Sequence, residues 1–380
     1  MSPLLIIAIA LSALYLFLVL YFCIGWWRMK KQEYAETNDL PFVSIIIPVR
    51  NESENIQACL KAALAQQYPK NRFEVILIDD YSTDPTLRLA REFTDSNLLV
   101  LDLMQYLGSF GEYVPNKKKA IALGVKNAKG DLILTTDGDC VMEDKWLMTM
   151  AQFYINNNYK LVTGPVMIKP AKSPLAWFQQ LDVMNMLGIT GATIQNGLPT
   201  MCNGANLMYA KEVFHVVEGF KGNHEVPTGD DIFLMQKINA AYDNAIGFVK
   251  NFDACVFTQP EPTFGEFVAQ RVRWVSKSSR FSDIKVVSIL YFAYLFNLFI
   301  VLTALACFQP IEMPWLPLAV AGGTKLFIDL VFDISLLVFF RKWLLFLLLP
   351  ITEVFHILYV VVIGVLSLTG KYRWKDRLVE

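Results

Sequence analysis

The sequence predicts an α/β domain with a mainly parallel sheet, carried by membrane-spanning helices at both ends of the chain. Three observations lead there. Hydrophobic residues fill 54% of the 380 positions and are clustered at the two ends, a distribution that belongs to membrane proteins. Between those clusters, short apolar runs alternate with helical stretches at βαβ spacing. Several of the runs end in acidic turns, and ligands of parallel sheets bind beyond the carboxyl ends of strands. The expected organisation is an anchor over 1–31, the α/β domain over 41–260, an amphipathic interface helix over 261–282, membrane segments over 286–370 and a basic tail over 371–380.

Residues 4–25 carry no charge and are followed by Trp26, Trp27, Arg28, Lys30 and Lys31. They read as a spanning helix with its basic end in the cytoplasm. A cleaved signal peptide would carry its basic residues before the apolar stretch, so the segment is expected to be a retained anchor. "PFVSIIIPVRNESENI" gives a buried strand over 42–48, a polar turn and a helix from about Ser53. "FEVILIDDYSTDPT" repeats the pattern, with a strand over 73–78 that runs into Asp79 and Asp80, and with Ser82, Thr83 and Asp84 as caps for the next helix. "LLVLDL" is a third strand, "NKKKAIALGVKNAKG" a helix and "DLILTTDGDC" a fourth strand.

After Phe281 the apolar signal returns. Residues 286–308 are uncharged, 315–340 contain Lys325, Asp329 and Asp333, and 343–369 contain Glu353 and His356. The middle segment is expected to span, with Lys325 and Asp329 paired at i,i+4; a re-entrant path is the alternative. One anchor plus three full spans puts the tail opposite the α/β domain. Its Lys371, Arg373, Lys375 and Arg377 favour the cytoplasm instead, and that conflict stays open at this level.

Composition excludes several functions. A net charge of −1, with no dense basic face outside the membrane flanks, argues against nucleic-acid binding. The six cysteines form no C-x-x-C pair and read as reduced thiols. The three histidines lie far apart, which disfavours a His-rich zinc site and a Ser-His-Asp triad. Neither GxxxxGK[ST] nor GxGxxG occurs, so the usual phosphate cradles are missing.

The chemistry therefore falls to carboxylates. Asp80, Asp137 and Asp139 follow different buried strands at one sheet edge, where they would repel unless a cation or a donor-rich ligand sat among them. Helix capping is the plainer reading for Asp80 and Asp84. It explains "DGD" less well, because residues two apart in an extended segment point the same way, so Asp137 and Asp139 are expected to face one ligand. Gly138 is expected to leave room for a bulky anion. Hard oxygen donors beside a diphosphate suit Mg²⁺ or Mn²⁺. Lys117, Lys118 and Lys119 are candidates to neutralise phosphate, against the commoner reading of a solvated helix face. Asp230 and Asp231, at a helix start in "PTGDDIFLMQKI", provide either a cap or a general base; adjacent helical residues diverge by about 100°, so one of the two is expected to face the site. In "FGEFVAQRVRWVSKSSR", Phe264, Phe267, Val268, Val272 and Val275 lie at helical spacing, as for a helix on the membrane surface. That reading leaves Gln270, Arg273 and Trp274 unexplained.

Taken together these motifs resemble, over about residues 41–280, a membrane-bound family 2 glycosyltransferase with the GT-A fold. "VSIIIPVRNE", "DDYSTD", "DGD", "NGANLMYAKEVF" at 203–214, "GDD" and "QRVRW" occur in the family's order, the last fitting its Q-x-x-R-W. The resemblance implies that Pro48, Glu52, Asp80, Asp137 and Lys119 bind the donor, and that Asp139 with Asp137 holds the metal. It implies Asp231, beside Asp230, as the base for an inverting in-line attack, and Gln270, Arg273 and Trp274 at the diphosphate and acceptor. The family's acidic pair is commonly Glu-Asp, and Asp230 departs from it. "WKDR" in the tail is similar to the family's W-K-G-R, with Asp376 in place of glycine. The expected partners are a nucleotide sugar, a UDP-sugar favoured, a lipid or growing glycan acceptor and membrane lipids, in an inner (cytoplasmic) membrane with the catalytic domain in the cytoplasm. A processive polysaccharide synthase is the alternative output, and an inactive membrane scaffold a remote one.

Overall fold

The computed structural model describes residues 2–30, 39–107, 116–222, 229–276, 283–309, 315–368, 372–374 and 377–379. They divide into two compact units. One gathers Met1–Arg28, Pro170–Ala192 and Pro260–Glu380; the other joins Met29–Lys169 to Thr193–Gln259.

In chain order the helices are α1 (Pro3–Arg28), α2 (Ile56–Leu64), α3 (Thr86–Arg91), α4 (Leu103–Leu107), α5 (Lys117–Asn127), α6 (Trp146–Asn156), α7 (Pro174–Gln195), α8 (Lys211–Val216), α9 (Asp230–Ala241), α10 (Phe264–Ser276), α11 (Ile284–Ala306), α12 (Trp315–Phe340) and α13 (Leu349–Ser367). The strands are β1 (Val43–Val49), β2 (Phe73–Asp79), β3 (Leu98–Asp102), β4 (Leu132–Thr135), β5 (Val141–Met142), β6 (Leu161–Thr163), β7 (Val166–Ile168), β8 (Leu207–Ala210), β9 (Ile246–Phe248), β10 (Val256–Thr258), β11 (Tyr372–Trp374) and β12 (Arg377–Val379).

In the α/β unit, β1 and β2 are buried at every position, as unbroken apolar runs between layers of helices should be. They pair in parallel from Val43 with Phe73 to Val49 with Asp79. The seven-stranded sheet has the order β3-β2-β1-β4-β8-β6-β9. Its pairs are parallel except at β8, which runs antiparallel to both β4 and β6. A smaller sheet, β5-β10-β7, joins residues distant in sequence. Two expected boundaries shift. Residues 53–55 form a turn, so α2 starts at Ile56 rather than near Ser53, and β2 reaches Asp79.

In the other unit, α1, α11 and the stretch Trp343–Ser367 are long and apolar enough to cross a membrane. Helix α12 is continuous over 26 residues, so the re-entrant alternative finds no reversal there. It lies beside α1 in the same direction: Tyr15 Oη donates to Asp329 at 2.9 Å, and Phe22 meets Phe332 and Trp26 meets Phe340 further along. Lys325 pairs with Asp329 as the spacing suggested and also with Glu353 of α13 at 3.2 Å. The stripe on α10 splits. Phe267 and Val272 are buried, while Phe264 is 70% exposed, because Phe267 packs against Phe178 of α7 and Tyr359 of α13. The tail forms an antiparallel pair, β11 with β12.

The expected domain over 41–260 runs through α7, which the structure places with the membrane-associated unit. Its Gln179, Gln180 and Asp182 interrupt the apolar run, so composition alone does not mark it as a membrane-unit helix.

Candidate active site

The site is built at the carboxyl ends of β1, β2 and β4, where three turns are laced together. The guanidinium of Arg50, just past β1, donates to the Asp80 carbonyl at 2.8 Å and to the Tyr81 carbonyl at 3.1 Å. The Asn51 amide donates to Ser82 Oγ at 3.0 Å, and the Glu52 amide to Thr86 Oγ1 at 2.8 Å. Asp84 accepts from the Ser53 and Thr86 amides, each at 3.0 Å, and so caps α3 while tying it to the β1 turn. Pro48 sits within buried β1, and Asp80 is 4% exposed, its amide donating to the Val49 carbonyl at 2.7 Å. Beside Asp80, Asp79 Oδ2 accepts from the Ser82 amide at 3.0 Å. Its Oδ1 is buried without a hydrogen-bond partner among the described residues, and burial pushes this carboxyl above the ordinary range.

The "DGD" segment differs from its expected shape. Strand β4 stops at Thr135, and the Cys140 amide donates to the Asp137 carbonyl at 3.1 Å, closing a turn. The rule that residues two apart share a side therefore does not apply, and the two carboxylates have different partners. Asp139 Oδ2 accepts from Thr258 Oγ1 at 2.8 Å, and its Oδ1 from Cys140 Sγ at 3.4 Å. Asp137 Oδ1 meets Lys117 Nζ at 2.5 Å. Nor does Gly138 supply open space for an anion. A Cβ there would lie 2.7 Å from Val49 Cγ1 and 3.1 Å from Glu52 Cγ, so the glycine is needed for close packing against the β1 turn.

Lys117 Nζ also lies 3.5 Å from Asp230 Oδ2, which joins the "DGD" turn to the start of α9. Asp231 Oδ2 accepts from the Gly204 amide at 3.2 Å, and Thr135 Oγ1 donates to the Gly204 carbonyl at 2.6 Å. A Cβ on Gly204 would approach Asp230 Oδ2 to 3.0 Å and Asp231 Cβ to 3.5 Å. Both members of the acidic pair thus border this loop, where one was expected to face the site. Asn206, in the "NGAN" segment, fixes the loop by donating to the Pro165 and Ala254 carbonyls and accepting from Trp146 Nε1.

The three lysines part company. Lys117 enters the acidic cluster, Lys118 is buried with its Nζ 5.1 Å from the Phe233 ring centroid, and Lys119 is exposed. The Lys117 ammonium is the one that pairs with both Asp137 and Asp230.

Burial pushes the Asp137 carboxyl above the ordinary range; Lys117 pulls it back, and Asp139 and Asp230 add to the upward push. Burial alone would lower Lys117, but Asp137 and Asp230 hold its ammonium well above the usual lysine value. Burial, with Asp139 and Asp137 nearby, raises the thiols of Cys59 and Cys140, which makes them inert. All six cysteines are free. Among the described residues no group of three or more His, Cys, Asp or Glu side chains gathers to hold a metal. The donor chemistry still fits one: two hard carboxylates suffice for Mg²⁺ or Mn²⁺ when substrate phosphates complete the coordination. Gln270, Arg273 and Trp274 belong to α10, in the other unit.

Known proteins match this chain in sequence and in fold. The profile described as "Glycosyl transferase family 2" matches residues 44–217, and "Glycosyl transferase family group 2" matches 132–368. The chain is 30% identical over 239 residues to glycosyltransferase AglE of Haloferax volcanii, covering 62% of this chain and 73% of that protein. It is 25% identical over 259 residues to the poly-beta-1,6-N-acetyl-D-glucosamine synthase of Staphylococcus aureus, covering 65% of this chain and 57% of the synthase. A solved mannosyltransferase of Pyrobaculum calidifontis, in complex with GDP-Man and Mn²⁺, superposes with a TM-score of 0.60 at 20% identity, over 89% of this chain and 99% of that one. That likeness speaks for the fold, and the family profile spans most of the present sequence. The chain belongs to the family 2 glycosyltransferases, enzymes that act on nucleotide sugars, and carries their GT-A fold together with helices apolar enough to cross a membrane.

Proposed function

We propose that the protein transfers a sugar from a nucleotide-diphosphate donor to a lipid or lipid-linked acceptor at the inner membrane, with inversion at the anomeric carbon. The observation that carries this reading is the convergence of the "DGD" turn and the "GDD" helix start on one lysine, 2.5 Å from Asp137 and 3.5 Å from Asp230. Such a cluster can hold a charged diphosphate and a base within one site.

Pro48, Glu52 and Asp80 take the nucleotide end of the donor in this reading. Asp139 and Asp137 would hold Mg²⁺ or Mn²⁺, which would supply positive charge to the departing diphosphate. Lys117 adds a second positive charge from the protein. Lys119, exposed, is kept only as an outer phosphate contact. Asp230 is committed to Lys117, which leaves Asp231 to take the proton of the acceptor hydroxyl while its oxygen bonds to the anomeric carbon and the bond to the diphosphate breaks. Gly204 orients Asp231 through the amide contact at 3.2 Å. Gln270, Arg273 and Trp274 keep the role at the diphosphate and acceptor that the resemblance implies. The basic residues after α1 favour the cytoplasm for the catalytic unit.

A UDP-sugar is favoured as donor, and the neighbour bound to GDP-Man makes a GDP-sugar the first alternative. The synthase among the relatives supports a second output, a polymer, from the same chemistry. Purified protein in native-lipid extract, given UDP-, GDP- and other nucleotide sugars with Mn²⁺ or Mg²⁺, separates these outcomes. One metal-dependent glycolipid, absent with Asp139→Asn and with chelator, is expected. A product ladder would assign the processive synthase, and turnover that survives loss of both Asp139 and Asp231 would refute the site.

A further inference from the structure

We propose that Asp182, on α7, is a positioning residue for Trp274 of the Q-x-x-R-W segment and acts through Arg271; the functional half of this proposal rests on the reading that Trp274 serves the acceptor. Arg271 was one of the motif's unspecified positions, yet it is 1% exposed. Its Nε donates to Asp182 Oδ2 at 2.8 Å, and its Nη2 lies 2.7 Å from the same oxygen. The guanidinium carbon is 4.1 Å from the Trp274 ring centroid and 4.7 Å from that of Phe267. A planar guanidinium held on one edge by a carboxylate can stack on an aromatic face, and the face then has one preferred orientation.

The same contacts reach the glutamine of the motif. Arg271 Nη1 donates to Gln270 Oε1, and Gln270 Nε2 donates to Glu261 Oε1. Gln179, one turn before Asp182 on α7, closes the arrangement with two bonds to the Glu261 backbone, donating to its carbonyl at 3.0 Å and accepting from its amide at 2.9 Å. Gln179 and Asp182 are three apart and share a helix face. A buried guanidinium cannot remain without its counter-ion, so the charge of Asp182 fixes Arg271, and Arg271 sets the ring of Trp274.

The test labels the full chain, which has eight tryptophans, with 5-fluorotryptophan and assigns the Trp274 resonance by its loss in Trp274→Phe. Asp182→Asn should shift or broaden that resonance and leave the Trp146 signal in place; Asp182→Glu, which keeps the charge, should restore it in part. In the transfer assay, Asp182→Asn should raise the acceptor KM by about tenfold and leave the donor KM within about twofold, because a misplaced contact acts on the group it positions. In a Trp274→Phe background Asp182→Asn should add nothing. If Asp182→Asn does not fold, Arg271→Lys replaces it, since an ammonium keeps the charge and loses the planar stack. An unmoved Trp274 resonance in a folded variant overturns the proposal, as does an additive loss in the double variant. Wild-type protein that transfers no sugar refutes the function proposed above, while the resonance still decides whether Asp182 orients Trp274.

Discussion

Lys117 stands at the centre of the site because of where a helix begins. Asn116 caps α5, its side chain accepting from the Lys118 amide, and the three following lysines leave the axis about 100° apart. The first reaches Asp137 and Asp230, the second is buried against Phe233 and the third is exposed. Lys117→Met should weaken binding of the donor diphosphate by about tenfold or more, the scale of a lost charged hydrogen bond. The ammonium also competes with any cation for Asp137, so the same variant should bind Mn²⁺ at least as well as wild type when no donor is present. Calorimetry with a nucleoside diphosphate and Mn²⁺ titration by electron paramagnetic resonance read the two signs separately; parallel losses would mean a collapsed site. The run "NKKKA" marked this region in the sequence, but the choice among three lysines depends on helix phase, which adjacent identical residues do not encode.

The elements that position the site were legible to the degree that their period was strong. Strands β1 and β2, seven buried residues each, announce a parallel sheet. The three-residue strands β6, β7 and β10 are too short to show a period, so the antiparallel entry of β8 and the second sheet were not foreseen. The "DGD" turn failed for a related reason: a strand only four residues long stops at Thr135, before the motif is reached, and the extended geometry ends with it. Because a Cβ on the glycine of that turn would lie 2.7 Å from Val49 Cγ1, Gly138→Ala should cost about 1–3 kcal/mol, the range of overpacking, and should weaken Mn²⁺ binding by displacing Asp137 and Asp139. Unchanged melting and metal affinity would show that the turn yields freely. In the neighbouring turns, burial opposes ionisation of Asp84, but hydrogen bonds from Thr86 and Ser53 outweigh it and hold the carboxyl below its ordinary value of 3.8. Its stabilising effect is therefore complete above that value and is lost as pH falls through the lower, folded-state value. Asp84→Ala should cost about 1 kcal/mol near neutrality, as for a lost cap, and the gap from wild type should close below pH 3.8; melts at the two pH values check both statements.

At the scale of the whole chain, the membrane-associated unit depends on charges that its hydropathy would not suggest. Lys325 is 1% exposed and bridges Asp329 on its own helix to Glu353 of α13, while Tyr15 of α1 donates to Asp329. Three helices thus share one buried cation. Sequence spacing revealed the pair within α12, since i,i+4 is a local relation, but not Tyr15 or Glu353, whose distances along the chain carry no periodic signal. A buried ion pair contributes less by existing than it costs to break, because the remaining charge stays in an apolar setting. Lys325→Met should accordingly destabilise the protein by about 3–5 kcal/mol, the usual loss when one partner of a buried pair is removed. The variant Lys325→Met/Asp329→Asn/Glu353→Gln, which removes both anions as well, should recover most of that loss. Thermal unfolding in lipid nanodiscs distinguishes the two mechanisms. Recovery in the triple variant means that the single substitution acts by stranding charge, whereas a triple variant less stable than the single one means that the bridge itself holds α1, α12 and α13 together. The first result is expected, because the Asp329→Asn change leaves Tyr15 a carbonyl oxygen to donate to, and the apolar contacts of Phe22 and Trp26 with α12 are untouched.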